Sequence, residues 1–590
     1  MTAPVSQNTP PGPQRPGGIR PRTFVLPPDA PRFPGTRRDP QWGLNVFRGQ
    51  RLPAALAAFT PAPYSWEALV EAELNGLPHH GLTPGRDRRP ALRPYQVPRV
   101  AEMRAAHTNG APGYVLTYPT GAGKTPTGIT GISDLPGIRN VLVVTKLSVV
   151  PPWRGAIDAF AAAGQRWVVI HPELLWRLLE HPSVDLARMR PEAAGELAAA
   201  GGRSRVRWDG VIVDESQILA DCESVRSRLL RRITHPEQGP RPWTLYLSAT
   251  GFSSPVETSY LADLIAFAAE VDAPDLTTKN AYKEWLRELG FDLNKDASGR
   301  WYHQLNPDDV SMVRTLLYSS GVGAAATPQE LGLPGQSREL WPIRLSVEER
   351  AEYQRSWEEF RLSRGLDTEA EEADRAGAGG DEERAAALRR VQKASILKAP
   401  YVAKIVADLV ADGHQVAVPA WYLDNVHALA TAIARELRAR GLSDKVAEIT
   451  GETPGLREKR RRAFQLGVCK VVVVNAVEGI NLHAGERNVD GQGRDATLTP
   501  RACVIADVLT GGKRALQAEG RTQRDGQQSR AIYVFAEGTT EEIWLATTLR
   551  AAAGTQALAQ AHADAEALTQ LAEQIFSAAP DEPVAAGAGI

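Results

Sequence analysis

Gly113-Tyr114-Val115-Leu116-Thr117 is followed at once by Tyr118-Pro119-Thr120-Gly121-Ala122-Gly123-Lys124-Thr125. The first five residues are mostly apolar or β-branched and read as a short buried strand. In the glycine-rich turn after it, successive backbone N–H groups can converge on phosphate oxygens at the positive end of the next helix. Thr120, Gly121, Ala122 and Gly123 then form a cradle for a nucleoside triphosphate. Lys124 reaches the β- and γ-phosphates, and the Thr125 hydroxyl sits on Mg²⁺. The strict pattern has glycine where this chain has Tyr118. The intact Gly-Ala-Gly-Lys-Thr core directly after a strand carries the reading.

Further along, Val211-Ile212-Val213-Asp214-Glu215-Ser216-Gln217 is an apolar strand ending in two adjacent carboxylates. Hydrolysis of ATP needs two acid functions. One holds the metal, a role that suits Asp214, and the other polarises the attacking water, which suits Glu215. Two acids after a strand mean little alone, because helix starts favour them for dipole reasons. Behind a phosphate loop, in this order, they gain force.

Outward from these two sites the chain alternates apolar runs with helical stretches. Gly113–Thr117, Asn140–Thr145, Trp167–Ile170, Gly210–Val213 and Thr244–Leu247 form one strand series. Gln415–Val418, Val446–Ile449, Lys470–Asn475, Cys503–Ala506 and Ala531–Phe535 form a second. Alternation of this kind predicts parallel βαβ units, hence two α/β lobes, at 86–270 and 401–550. Residues 271–400 read as a helical connector with an acidic, glycine-bearing flexible insertion at 367–383. Residues 1–40, crowded with Pro, Gly and Arg, read as a disordered tail, and 41–85 as a small lead-in. Residues 551–590 read as an Ala-rich helix or helical hairpin and a tail.

Of the 590 residues, 43% are apolar, and 68 Lys and Arg stand against 69 Asp and Glu, a formal charge of −1. The global charge therefore argues for no nucleic-acid partner, and local sites must carry that case. Cys222, Cys469 and Cys503 lie far apart, which excludes a disulfide framework and a cysteine-rich zinc site and fits a reducing cytoplasm. No apolar run approaches the ~18 residues of a membrane span, and the N-terminus has no signal-peptide pattern.

Around these motifs the chain resembles the superfamily 2 helicases and translocases. Leu92-Arg93-Pro94-Tyr95-Gln96 is similar to the segment in which a glutamine, here Gln96, reads the adenine edge. Val141 to Ser148, closing with Pro152-Trp153, is similar to the first-lobe segment that grips a DNA backbone. That resemblance implies contacts from Thr145, Lys146 and Ser148. Leu247-Ser248-Ala249-Thr250 resembles the motif that couples the lobes. Glu478-Gly479-Ile480-Asn481-Leu482 and Gln517-Ala518-Glu519-Gly520-Arg521-Thr522-Gln523-Arg524-Asp525-Gly526-Gln527 resemble second-lobe motifs of the Swi/Snf-type branch. Gly479 is implied at the nucleotide, Asn481 at nucleic acid, and Gln217 and Gln517 in lobe coupling. The acidic motif ends in Gln217 where that branch usually has histidine, and Tyr118-Pro119-Thr120 replaces its usual Asp-Glu-Met. The segment before Leu333-Pro334 lacks the branch's paired arginines. These departures fit a compact, divergent member, and the Arg/Ala-rich composition suggests a bacterial or phage type.

Arg521 and Arg524, three apart, would share a helix face and aim into the interlobe cleft, where charge develops on the transferred phosphoryl group. Lys459-Arg460-Arg461-Arg462 is either a solvated helix face or a phosphate contact.

The expected fold is therefore α/β: two RecA-like parallel-sheet lobes joined by a helical segment, with a disordered N-terminal tail and a helical C-terminus. The expected activity is a DNA-dependent ATPase that takes ATP and Mg²⁺ and moves along duplex DNA by backbone contacts. Competing readings are a strand-separating DNA or RNA helicase, the motor part of a restriction or defence system, and an ATP-gated clamp with slow hydrolysis.

Overall fold

The structure, a computed structural model, describes residues 89–577 except for short internal stretches, among them 120, 250–251, 296–300, 333–336, 365–380, 476–479 and 524–528. Before residue 89 it describes only 22–26, 34, 36–38, 45–49, 53–56 and 62–63. The flexible insertion expected at 367–383 lies almost wholly outside the described residues, and Asp381 already begins the helix Asp381–Ala411.

The first lobe is built on six strands: β1 (Gly113–Thr117), β2 (Asn140–Val144), β3 (Arg166–Ile170), β4 (Gly210–Asp214), β5 (Trp243–Ser248) and β6 (Gly323–Ala325). They lie in the order β6-β1-β5-β4-β2-β3, every pair parallel. β1, β4 and β5 are buried along their whole length, which is why they read as unbroken apolar runs without alternation.

The second lobe has β7 (Ser337–Ile343), β8 (Gln415–Ala420), β9 (Val446–Ile449), β10 (Val471–Asn475), β11 (Arg501–Ile505) and β12 (Ser529–Ala536). Their order is β7-β12-β11-β8-β10-β9, again all parallel. The two parallel-sheet α/β lobes expected from the sequence are present, and the ten strands read there form within a residue or two of their expected limits.

The connector is not purely helical, contrary to expectation. β6 adds an edge strand to the first sheet and β7 adds one to the second. Gly323-Ala324-Ala325 has no β-branched residue to announce a strand, so its pairing with Val115 to Thr117 is a tertiary decision. A hairpin, Leu293–Lys295 with Trp301–His303, interrupts the helices as well. The expected N-terminal tail is corrected in the same way. Arg22–Leu26 pairs antiparallel with Asn45–Gly49 and Ala62–Pro63, and Thr36–Arg38 pairs with Asn45–Gly49. Thr23-Phe24-Val25-Leu26 is a strand-forming run inside a Pro- and Gly-rich stretch, and composition averaged over the stretch hides it.

At the C-terminus the helices Thr540–Leu558 and His562–Ser577 form a hairpin. Leu545, Leu549, Leu568, Ala572 and Ile575 share one core with the second sheet. Leu558, at the end of the first of these helices, is buried in the core of the first lobe. Among the described residues no helix is long and apolar enough to cross a membrane.

Gly512 fixes how closely the helix Gly512–Glu519 meets this hairpin. A Cβ there would stand 2.1 Å from the Ala552 amide nitrogen and 2.3 Å from the Ala551 carbonyl carbon. Both neighbours are backbone and cannot turn aside. Gly512→Ala is therefore expected to destabilise the protein by about 1–3 kcal/mol or more, the usual range for overpacking. A thermal unfolding scan checks this, and an unchanged melting temperature contradicts it.

Candidate functional site

Three motif-bearing loops leave the same edge of the first sheet. Ser248 at the end of β5 stands opposite Thr117 at the end of β1, and Asp214 at the end of β4 stands opposite Leu247. Ligands of open α/β sheets bind at this carboxyl edge.

After β1 the chain turns through Gly121 (φ 84°) and Gly123 (φ 78°), left-handed conformations that favour glycine. Helix Lys124–Ser133 starts directly after them. The Lys124 ammonium donates to the carbonyl oxygens of Tyr118 at 2.9 Å and Pro119 at 3.3 Å. Its charge is thus folded back over the mouth of its own loop. Gln96 is 2% exposed and braces the loop from behind. Its amide donates to the carbonyl of Gly123 (3.0 Å), and its Oε1 accepts from the Arg93 amide (2.8 Å). A Cβ on Gly123 would lie 2.3 Å from the Gln96 amide nitrogen. The residue expected at the adenine edge is here engaged with the phosphate loop. Thr120 lies outside the described residues, and Ala122 is buried.

Asp214 is buried, and its Oδ2 accepts from Thr145 Oγ1 (2.8 Å) and from the Trp153 indole N–H (2.7 Å). Both donors use one oxygen, which leaves Oδ1 clear of them. Burial, and then the charge of Glu215, raise the Asp214 pKa, while the bonds from Trp153 and Thr145 and the charge of Lys124 pull it down. Thr145 was expected on a nucleic-acid surface. It is instead fully buried, because its hydroxyl serves the carboxylate. Trp153 is a site residue that the sequence announced only as the end of a resembling segment.

Glu215 has φ 52°, one of two non-glycine residues among the described ones with positive φ. Such backbone costs free energy and persists only where its surroundings enforce it. The Gln217 amide donates to Glu215 Oε2, and Gln217 Oε1 accepts from the Ser248 hydroxyl at 2.8 Å. An amide can donate and accept at once without titrating, which accounts for glutamine in a place where the resembling branch has histidine. From the second lobe the Gln517 amide reaches Glu215 Oε2 at 3.5 Å. Lys513, on the same helix, pairs with Glu257 of the first lobe. Gln217, Ser248 and Gln517, the residues expected in lobe coupling, are brought together in one chain of contacts to Glu215. Ala249 lies beside it, half-buried, and Thr250 is outside the described residues.

The helix expected to carry the arginines ends at Glu519, and Arg521 follows it in a turn. Arg521 is 6% exposed, and its carbonyl accepts from the Leu482 amide at 3.0 Å. Burial pushes the Cys503 thiol up to about 12 against the pull of the nearby Arg521 charge. Arg524 and Gly479 lie outside the described residues.

Lys146 and Asn481 are half-buried in the segments that follow β2 and β10, and the Ser148 side chain is outside what is described. The Arg460–Arg462 cluster is spent within the lobe. Arg461 pairs with Glu458 and Glu486, Arg462 with Glu458, and Arg460 donates to the Glu448 carbonyl.

The residues fit a Mg²⁺-bound nucleoside triphosphate. Two positive-φ glycines, a lysine at the helix start, and hard oxygen donors on Thr125 and Asp214 suit phosphate and magnesium. No family model matches the chain, and no curated protein matches it. Among solved structures the chain is similar to the Sulfolobus solfataricus SWI2/SNF2 ATPase core in complex with dsDNA, at a TM-score of 0.31 and 15% identity over 82% of this chain and 96% of that one. It is similar also to the Sulfolobus solfataricus SWI2/SNF2 ATPase core domain, at a TM-score of 0.30 and 16% identity over 78% and 88%. Scores at this level carry no weight, and the fold and site stand on the strands and side chains described above.

The raised pKa of Asp214 has a consequence for the nucleotide-free protein. The folded state keeps this proton to a higher pH than the unfolded chain, whose aspartate titrates near about 4. Between those two values the folded state binds more protons, so stability falls as pH rises. Asp214→Asn should remove that part of the slope. Denaturant midpoints measured from about pH 4 upward check it, and identical slopes in parent and variant contradict it.

Proposed function

We propose that this chain is a superfamily 2 motor of the Swi/Snf type, which hydrolyses ATP between its two lobes and moves along duplex DNA. The observation that carries the proposal is the Glu215 carboxylate, reached by Gln217 of its own lobe and Gln517 of the other, beside a phosphate loop. A water-activating acid that touches both lobes couples the state of the nucleotide to the distance between them.

The roles of the residues follow from their chemistry. Gly121 to Gly123 supply backbone N–H groups for the phosphates. Lys124 exchanges its carbonyl partners for the β- and γ-phosphate oxygens of ATP. Thr125 and Asp214 hold Mg²⁺, which when bound neutralises phosphate charge. Glu215 accepts the proton of the attacking water. Arg521 and Arg524, from the second lobe, serve the charge that develops on the transferred phosphoryl group, and Gly479 stands at the nucleotide. Thr145 and Trp153 aim Asp214 and favour its ionised form against the effect of burial. Lys146, Ser148 and Asn481 provide the grip on the DNA backbone.

Closure around ATP and opening after hydrolysis then shift one lobe against the other, a hinge movement that yields steps. Backbone contacts imply low sequence specificity and an affinity that falls steeply with salt. The three cysteines, free and buried, fit a reducing cytoplasm.

Lys124→Ala should abolish ATP turnover, and Glu215→Gln should keep ATP binding and lose hydrolysis. Parental turnover in Glu215→Gln removes that residue from the chemistry. Arg524→Ala should lower turnover by about 10³–10⁵ with little change in ATP affinity, as for a group engaged in the transition state. An equal fall in affinity and rate moves Arg524 to ground-state binding.

The track is tested by ATPase assays with duplex DNA, single-stranded DNA and RNA, beside triplex displacement and forked-duplex unwinding. Stimulation by duplex DNA and triplex displacement without fork unwinding are expected. Efficient fork unwinding, or stimulation by RNA alone, overturns the reading.

A further inference from the structure

We infer that Arg338 is a positioning residue for ATP hydrolysis, acting through its grip on Glu519 to set where Arg521 stands. The inference rests on the function proposed above and adds a residue that the motifs do not contain.

Glu519 is the last residue of the helix that carries Gln517, and only Gly520 separates it from Arg521. Its carboxylate is 2% exposed, and the Arg338 side chain that meets it is 7% exposed. Arg338 Nη2 donates to Glu519 Oε1 at 2.6 Å, and Nε donates to Oε1 at 3.1 Å and to Oε2 at 3.0 Å. The Tyr533 hydroxyl donates to Oε2 at 3.1 Å. Arg338 Nη1 also reaches Asp564 Oδ1 at 3.5 Å, on the second helix of the C-terminal hairpin. One guanidinium thus joins the edge strand β7, the end of the motif helix and the C-terminal hairpin.

A buried ion pair of this kind is a poor choice for stability alone. Apolar residues of similar volume usually serve as well or better, because both charges must leave water. What the planar guanidinium adds is orientation, since its fork meets a carboxylate in few geometries. The segment beyond is pinned as well. The Thr522 hydroxyl meets the Ser529 hydroxyl on β12 at 2.6 Å, and the Arg521 carbonyl takes the Leu482 amide. A shift of Glu519 therefore moves Arg521 and the Ile480–Leu482 segment together. Burial works against the charge of Arg338, and the carboxylate of Glu519 more than restores it. Arg338 therefore keeps its charge in the buried site.

Arg338→Met alone strands a buried carboxylate and is expected to unfold readily. The informative variant is Arg338→Met with Glu519→Met, which removes both charges of the fork, keeps the volume and leaves Asp564, 14% exposed, as the one carboxylate that loses its arginine. We expect a melting temperature near the parent's, a kcat for duplex-stimulated ATP turnover at least about tenfold lower, and a KM for ATP within about twofold. Parental kcat in this double variant overturns the positioning role. If the double variant does not fold, Arg338→Lys decides, because it keeps the charge and loses the fork. There kcat should fall with KM held, and an unchanged kcat overturns the role.

The wild-type chain and Lys124→Ala are assayed beside them. Absence of turnover in the wild type overturns the proposed function and this role with it. Turnover that is lost with Lys124→Ala but untouched in the double variant overturns this role alone.

Discussion

In the first lobe β1, β5 and β4 run parallel and in step, so that Thr117 faces Ser248 and Leu247 faces Asp214. This register is what makes a site of three separate sequence motifs. The glycine-rich loop, the acid pair and the Ser248 hydroxyl leave one edge of the sheet, close enough for Gln217 to bridge Glu215 and Ser248. The register is strongly specified because the strands are buried on both faces, and a slip of one residue would exchange the two faces of every strand. The strained backbone of Glu215 is tolerable for the same reason. A rigid sheet end and two amides hold a conformation that an isolated turn would abandon.

The fold also handles buried charge in three distinct ways. Asp214 has neutral donors, Thr145 and Trp153, that fix one oxygen while burial raises its pKa. Glu519 has a forked guanidinium and a tyrosine hydroxyl. Glu541 forms a wholly buried pair with Lys398 at 2.7 Å, and Lys398 donates further to the carbonyls of Ala506 and Val534. Removing one member of such a pair typically costs about 3–5 kcal/mol, because the other charge stays behind unpaired. Glu541 lies at the start of the C-terminal hairpin and Asp564 at the start of its second helix. Charged contacts to Lys398 and Arg338 therefore moor the hairpin to the second lobe at both places, while Leu558 between them enters the core of the first. The hairpin is in this sense a third link between the lobes, beside Gln517–Glu215 and Lys513–Glu257.

Much of this was legible in the sequence, and what was not has identifiable causes. Interior strands such as Val141–Val144 and Val471–Val474 declare themselves because both faces are buried and nearly every residue must be apolar. The edge strands β6 and β7 did not. Gly323-Ala324-Ala325 carries no local preference that competes with helix or loop, and in Ser337–Ile343 only Ile343 is buried. The helical placement inferred for Arg521 failed because the helix stops at Glu519 and Gly520. Spacing of three assigns a common face only where the helix continues.

The sequence by itself determined two parallel α/β lobes, the glycine-rich loop with Lys124 after a strand, and the acids Asp214 and Glu215 at a strand end. These are local features, written in periodicity and in the chemistry of adjacent residues. Only the tertiary structure decided that Thr145 and Trp153 serve Asp214, that Gln517 reaches Glu215 from the other lobe, and that Arg338 grips Glu519. The partners in those last contacts lie apart in sequence: 61 residues for Trp153 and Asp214, 181 for Arg338 and Glu519, and 302 for Gln517 and Glu215. No propensity or spacing rule reaches across such distances. Which side chains meet is set by the register of buried strands and by the need of each buried charge for a partner.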